Sequence, residues 1–202
     1  RVLFRSINMK QELQQKLYKK YPELFGQRKL SQMQSAMFWG IETGDGWYDI
    51  IDNMCLLIQS HIENEREERA RNLVYNRALA RAVAGNTRDL NYFYRKLYKN
   101  EEVLQKRVDE DIKSNSPRPV RPAFPQIEFT QIKEKFGGLR VYTNYYNDYI
   151  DGVIRMAAAM SYKICETCGK PGKRRGNSWM YVACEEHLRE EDKDETLNEE
   201  NE

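Results

Sequence analysis

The sequence predicts an α+β fold, mostly helical, and three observations carry that prediction. Apolar residues recur at three- and four-residue spacing over long stretches before residue 113, the period of an amphipathic helix. Only around Gly137-Gly138 does the period shorten to two, the one strong hairpin signal in the first 160 residues. Beyond residue 163 the helical period stops, and cysteine and histidine appear in closely spaced pairs.

Taken in order, residues 1–8 read as a leader or expression remnant, because Met9-Lys10-Gln11-Glu12 reads naturally as a start. Met9, Leu13, Leu17 and Tyr21 mark a helix that ends before Pro22. Leu24 and Phe25 follow, Gly26 closes a turn, and Met33 to Ile41 is rich in Met, Phe and Trp without a clean period. Gly44-Asp45-Gly46 punctuates the chain as a turn. Ile51, Cys55, Ile58 and Ile62 then share one helical face, and helix is predicted to run to Ala84, before Gly85-Asn86. Within it residues 63–69 are wholly polar, with Glu65/Arg69 and Glu67/Arg71 in the favourable i,i+4 order.

Thr87 is placed to cap a second long helix, whose stripe is Leu90, Phe93, Leu97, Leu104, Val108 and Ile112. The two make a helical hairpin, the first helix reaching roughly 55 Å, and the polar stretch predicts a projecting arm. Pro117, Pro119, Pro122 and Pro125 end it and impose an extended connector. Ile127/Phe129 and Leu139/Val141/Thr143 alternate about Gly137-Gly138 as a small β-hairpin. Tyr149, Val153, Met156, Ala157 and Met160 resume helical spacing.

The C-terminal segment carries the sharpest motif. Cys165-Glu-Thr-Cys168-Gly169 is followed, fifteen residues on, by Cys184-Glu-Glu-His187, a C-x2-C-x15-C-x2-H pattern. Soft thiolate and imidazole ligands in two pairs suit tetrahedral Zn2+, so Cys165, Cys168, Cys184 and His187 are the predicted ligands. Gly169 lets the backbone fold tightly enough for amide N–H groups to point at sulfur. Gly176-Asn177 offers a turn, Trp179 to Val182 a second strand, and Cys184/His187 fit the first turn of a helix. Together these describe a treble-clef-like zinc module. Four protein ligands leave no open position, which makes the zinc structural rather than catalytic. Three thiolates leave about one negative charge on the centre, which Lys170, Lys173, Arg174 and Arg175 are placed to offset. The alternatives are two disulfides, or unrelated thiols and imidazole. Cys55 reads as a small buried hydrophobe.

The predicted organisation is therefore an α+β core from 9–62 and 121–163, a helical arm and connector over 63–120, the zinc module over 164–188, and an acidic disordered tail over 189–202. The net charge of +2 hides an asymmetry: residues 185–202 hold ten acids against Arg189 and Lys193, while the rest carries 31 basic and 21 acidic groups. A basic body suits polyanions, with the tail competing for the same surface; a solvated tail that aids solubility is the plainer reading. No apolar run approaches the ~20 residues a bilayer needs, so no membrane partner is expected. No signal-peptide core follows the basic start, which predicts a cytoplasmic protein.

Two weaker constellations remain. Lys133, Lys135 and Arg140, with Tyr142, Tyr145 and Tyr146 and with the Lys173/Arg174/Arg175 cluster, form a candidate surface for nucleic acid or a partner; a solvated hairpin face is the alternative. Asp45, Asp49 and Asp52 could converge on a hard divalent cation in a metal-dependent enzyme, or simply favour a helix N-terminus. His61-Ile62-Glu63 with Cys165-x-x-Cys168 superficially matches a zinc deaminase signature, but Ile164 stands where that signature needs Pro. No phosphate loop, Ser/His/Asp set or dinucleotide fingerprint is present.

Trp39-Gly40, Gly44-Asp45-Gly46-Trp47 with Asp49, Lys133-Glu134-Lys135-Phe136-Gly137-Gly138-Leu139-Arg140, the Cys165–His187 module and Tyr21-Pro22-Glu23-Leu24-Phe25 together resemble a family of small uncharacterised phage and prophage proteins. The likeness spans most of residues 9–188. This chain departs in having Met37/Phe38 and Thr43 where the family often carries cysteines, and in residues 63–120, which resemble an enlarged insertion. The resemblance implies an accessory protein of the bacterial host cell's cytoplasm. The closed zinc site, the projecting arm, the uneven charge and the lack of a catalytic set point to a non-enzymatic protein that binds a host or phage protein or nucleoprotein, and the resemblance adds a role in countering host defence. Direct nucleic-acid binding and the Asp45/Asp49/Asp52 enzyme are the alternatives.

Overall fold

The structure, a computed structural model, describes residues 8–176 and 179–192. Residues 1–7 of the expected leader, Asn177 of the expected turn, and all of the acidic tail after Asp192 lie outside the described residues. The chain is a mixture of helix and strand with one long helix and two small sheets. It divides into two compact units at His61/Ile62 and at Phe124/Pro125. Among the described residues, no helix is long and apolar enough to cross a membrane.

In the first unit, α1 (Gln11–Lys20) stops one residue before Tyr21-Pro22, as proline demands. A short strand β1 (Ile41–Glu42) follows, and a 3-10 turn over Asp45–Trp47 leads into α2 (Tyr48–Val83). Strands β2 (Phe129–Lys135) and β3 (Gly138–Thr143) form the predicted antiparallel hairpin, and β1 adds to β2 in parallel. Sequence periodicity misses β1 because two residues carry no period.

The hairpin turn sits one residue earlier than predicted. Its loop is Phe136-Gly137, both left-handed (φ 56° and 72°), the geometry that matches the twist of the flanking strands. Gly138 instead opens β3, where a Cβ would come within 2.5 Å of the Tyr162 ring. The unit's core gathers Leu17, Leu24, Phe25, Met37, Ile41, Trp47, Ile51, Phe129 and Ile132, all fully buried. Phe25 packs between Tyr18 and Phe129, with ring centroids 5.0 and 5.1 Å away. Gln14 is a buried polar member: its amide donates to Met9 O, and its Oε1 accepts from the Tyr18 hydroxyl and the Ile41 N–H.

The second unit corrects the predicted second long helix. That stretch is two helices, α3 (Arg88–Arg95) and α4 (Glu101–Ser114). The break is chemical: Asn100 Oδ1 accepts the N–H groups of Glu102 and Val103, starting a new helix where the apolar stripe alone suggested continuity. Thr87, the expected cap, makes no capping bond; Asn86 Oδ1 accepts the Arg88 N–H instead. Tyr75, Ala78, Leu79, Ala82, Leu90, Tyr94, Leu104 and Val108 close a separate apolar core.

Inside that core Asp111 is nearly fully buried, accepting from the Tyr75 hydroxyl at 2.8 Å and from the Tyr94 hydroxyl, with Arg107 3.1 Å away. Burial, and the bond to Asp111, push both tyrosines above their ordinary pKa. The proline-rich connector returns along α2, tied by polar side chains. Asn76 both donates to Arg118 O and accepts its N–H, Asn72 donates to Pro119 O, and Arg69 donates to Arg121 O. Glu65 pairs with Arg121 at 3.4 Å, rather than with Arg69 as the i,i+4 spacing suggested. Polar side chains of α2 from Glu65 to Asn76 thus satisfy a proline segment that has no ladder of its own.

The chain re-enters the first unit through β2 and β3 and continues into α5 (Asp148–Ser161), capped by Asn147 Oδ1 accepting the Ile150 N–H. Beyond it, β4 (Lys173–Arg175) and β5 (Tyr181–Ala183) pair antiparallel, and a 3-10 turn over Glu185–His187 follows.

Candidate metal centre

Cys165, Cys168, Cys184 and His187 come together, each offering one ligand atom, and all four atoms lie within 4.8 Å of one another. Cys168 Sγ is 3.6 Å from Cys184 Sγ, and His187 Nδ1 is 3.2 Å from Cys184 Sγ and 3.8 Å from Cys165 Sγ. No disulfide joins the four cysteines Cys55, Cys165, Cys168 and Cys184. Cys55 is fully buried in α2, where burial pushes its thiol well above the usual range, as expected of a packing residue.

Each pair is positioned by a tight turn. Gly169 has φ 79°, and its N–H returns to Cys165 O at 2.9 Å, closing the first knuckle. A backbone hydrogen bond from Lys170 reaches the Cys168 thiol, the contact expected of this turn. Burial opposes ionisation of Cys165, yet backbone hydrogen bonds from Cys184, Cys168 and Thr167 outweigh it and hold the thiol below its ordinary range. Cys184 precedes the 3-10 turn over Glu185–His187, whose three-residue repeat swings His187 back beside it. The expected α-helical first turn is thus a 3-10 turn.

The Gly-Asp-Gly-Trp motif turns out to be the seat of the first knuckle. The Gly44 N–H donates to Glu166 Oε1 at 2.8 Å, and the Gly46 N–H donates to Glu166 O at 2.7 Å. The Trp47 indole N–H donates to Ile164 O at 2.9 Å. At Gly46 a Cβ would lie 2.2 Å from Cys165 O and 2.4 Å from the Gly169 nitrogen, so only glycine admits the knuckle. Glu166 is buried, and that burial lifts its pKa to about 7 against the lowering effect of the Gly44 N–H. The sequence carried the glycines and the tryptophan, but no spacing rule linked them to cysteines more than a hundred residues away.

The carboxylates Asp45, Asp49 and Asp52 do not converge, which corrects the alternative built on them. Asp45 bonds the Lys10 N–H at 2.7 Å and its ammonium at 3.0 Å, while Asp52 holds the Lys20 ammonium at 2.8 Å. Those lysines flank α1, about 15 Å apart at 1.5 Å per residue. Asp49 sits in the first turn of α2, where its charge favours the helix dipole. Among the described residues, the Cys/His group is the cluster of three or more such ligands that the chain assembles.

Of the basic residues, Lys133, Lys135 and Arg140 share one sheet face, and Arg174 reaches the same place through Tyr162. The Arg140 and Arg174 guanidinium carbons lie 5.9 and 5.7 Å from the Tyr162 ring centroid, and Arg140 Nη2 donates to the Tyr162 hydroxyl at 2.9 Å. Tyr162 had no sequence signal. Lys173 and Arg175 alternate to the opposite face of the β4–β5 ribbon from Arg174. Arg175 is paired to Glu185 at 2.5 Å with little side chain exposed, and Lys170 is bonded to Glu186 at 2.6 Å. Two of the four cations expected to offset thiolate charge are therefore already engaged by the acids beside Cys184.

No family model, curated protein or solved structure matches this chain.

Proposed function

We propose that the chain is a non-enzymatic binding protein organised by one structural Zn2+, acting as a phage or prophage accessory on a host or phage protein or nucleoprotein. Tetrahedral bonds of ~2.3 Å to sulfur and ~2.0 Å to nitrogen place S···S near ~3.8 Å and S···N near ~3.5 Å. The 3.6 Å sulfur pair and the 3.2 and 3.8 Å sulfur–nitrogen spacings fit that hole. Bound there, zinc would supply charge and geometry to the knuckles, as in a treble-clef-like module, and the chain's own residues do the rest. Gly44, Gly46 and Trp47 hold the first knuckle against the start of α2, so the metal braces the sheet-bearing unit rather than a detached finger.

The single observation that carries the reading is the completeness of this donor set. Three thiols and one imidazole nitrogen fill four positions and leave none for water or substrate, which favours a docking role over catalysis. The family resemblance supplies the phage setting and suits an inhibitor of host defence in the bacterial cytoplasm. The test is affinity capture from a bacterial host lysate with zinc-loaded protein, with Cys168→Ser, and with alanine replacements at exposed positions of α3 and α4. The reading expects a partner held by the loaded protein and lost with Cys168→Ser. Recovery of the same proteins by both would reject it; capture unchanged by the α3/α4 replacements would exclude α3 and α4 as the contact. A second reading, direct nucleic-acid binding, is favoured by the convergence of Arg140 and Arg174 on Tyr162.

A further inference from the structure

Resting on the second reading, direct nucleic-acid binding, we propose that the outer face of the β1–β2–β3 sheet, extended by Tyr162 and Arg174, binds single-stranded nucleic acid. Strand register defines the face. Lys133 pairs with Arg140, Gln131 with Tyr142 and Lys135 with Gly138, while the alternate residues Ile132, Leu139 and Val141 are buried on the other side. Glu42, which pairs with Lys133 from β1, is the acid that this register adds to the face.

Each cation stands beside a ring. The Lys133 ammonium is 5.9 Å from the Tyr142 centroid, and the Lys135 ammonium is 5.2 Å from that of Phe136. Arg140 and Arg174 flank Tyr162, whose ring lies against Gly138 in the space a side chain would occupy. Phe136 is 59% exposed and Tyr142 44%, so neither ring packs inward even with a lysine ammonium over it. The Gly137 N–H is held by Glu134 Oε1 at 2.6 Å, and Gly137 lies against Met180 and Tyr181, which fixes the hairpin tip.

Charge and rings together select the occupant. Phosphates meet the cations, and unstacked bases lie on the exposed aromatic faces, a pairing that tolerates any base sequence. A duplex keeps its base faces inside its own stack and would use the cations alone. An acidic polypeptide would likewise leave the rings without a partner.

Fluorescence anisotropy of a labelled oligo(dT) of about 20 nucleotides, titrated with full-length zinc-loaded protein at about 50 mM salt, tests this. The face predicts binding that weakens steeply with salt, and at least tenfold loss of affinity in Lys133→Glu/Lys135→Glu. Tyr142→Ala should lose roughly fivefold or more while Tyr142→Phe keeps affinity, because stacking needs only the ring. Lys106→Glu/Lys113→Glu in the second unit should change little. Zinc content and melting temperature, measured on each variant, separate lost contacts from lost fold. The proposal is overturned by absence of binding, by unchanged affinity in Lys133→Glu/Lys135→Glu, by equal affinity for a duplex of the same length, or by displacement of the oligonucleotide by poly-glutamate at equal charge. Any of these leaves the zinc-braced binding protein to its own capture experiment.

Discussion

In the first unit, four candidate ligands from a short segment come together, and the backbone of Gly44 and Gly46 grips the knuckle that carries two of them. In the second, no Cys/His cluster occurs among the described residues; an apolar core closes around Asp111 and the hydroxyls of Tyr75 and Tyr94. The segment 164–188 buries few residues of its own, chiefly Cys165, Tyr181, Val182, Ala183 and Cys184, and two of those belong to the Cys/His cluster. On the proposed zinc, so small a core would leave metal coordination as the main source of stability there, whereas the second unit can hold its shape by burial and a satisfied polar network. With that zinc, one chain would contain two stabilising strategies that respond to different perturbations.

Chelation should split them most sharply. Structural zinc is worth on the order of 10 kcal/mol in small modules. Metal removal should thus abolish amide-exchange protection across 164–188 and expose the Trp47 indole to solvent, while protection in α3 and α4 persists; hydrogen exchange read by segment checks this. Equal loss in both units would erase the distinction. Gly46→Ala comes next: with backbone atoms at 2.2 and 2.4 Å from the new Cβ, the knuckle must shift. About 4 kcal/mol of stability should be lost, with weaker metal affinity, measured by denaturation and competitive chelation.

Asp111→Ala should act in the opposite place. It strands two buried hydroxyls and the Arg107 guanidinium, costing about 3 kcal/mol in the second unit with metal content unchanged. Raised pKa values at Tyr75 and Tyr94 mean that their neutral forms are favoured in the fold. That contribution is fully present below the unfolded tyrosine pKa of about 10 and is lost as pH rises through the folded values, so alkaline titration should loosen the second unit. Smallest is the helix cap: Asn100→Ala should cost about 1 kcal/mol and Thr87→Ala almost nothing, by thermal unfolding.

The same contrast explains what the sequence disclosed. The cluster of Cys165, Cys168, Cys184 and His187 was legible because a metal-ligand motif fixes both residue type and spacing within a short segment. The ends of α1 and α2 were legible because Pro22 and Gly85 interrupt a helical period. Asp111 was not, since an acid on a charged helix signals nothing until tertiary contact buries it. Asn100 broke a helix that its apolar stripe carried straight through. Asp45 and Asp52 looked like a cation site because spacing along a chain does not reveal Lys10 and Lys20, which claim them. Glu166 and Tyr162 owe their importance to partners across the fold, Gly44 and Gly138, and pairings at that range leave no local pattern.

Metal quantitation on the purified chain, alongside Cys168→Ser, tests the central claim most directly. One zinc per wild-type chain, lost in the serine variant together with order around Trp47, is the predicted result. Wild-type protein with no stoichiometric metal and the same fold would contradict it.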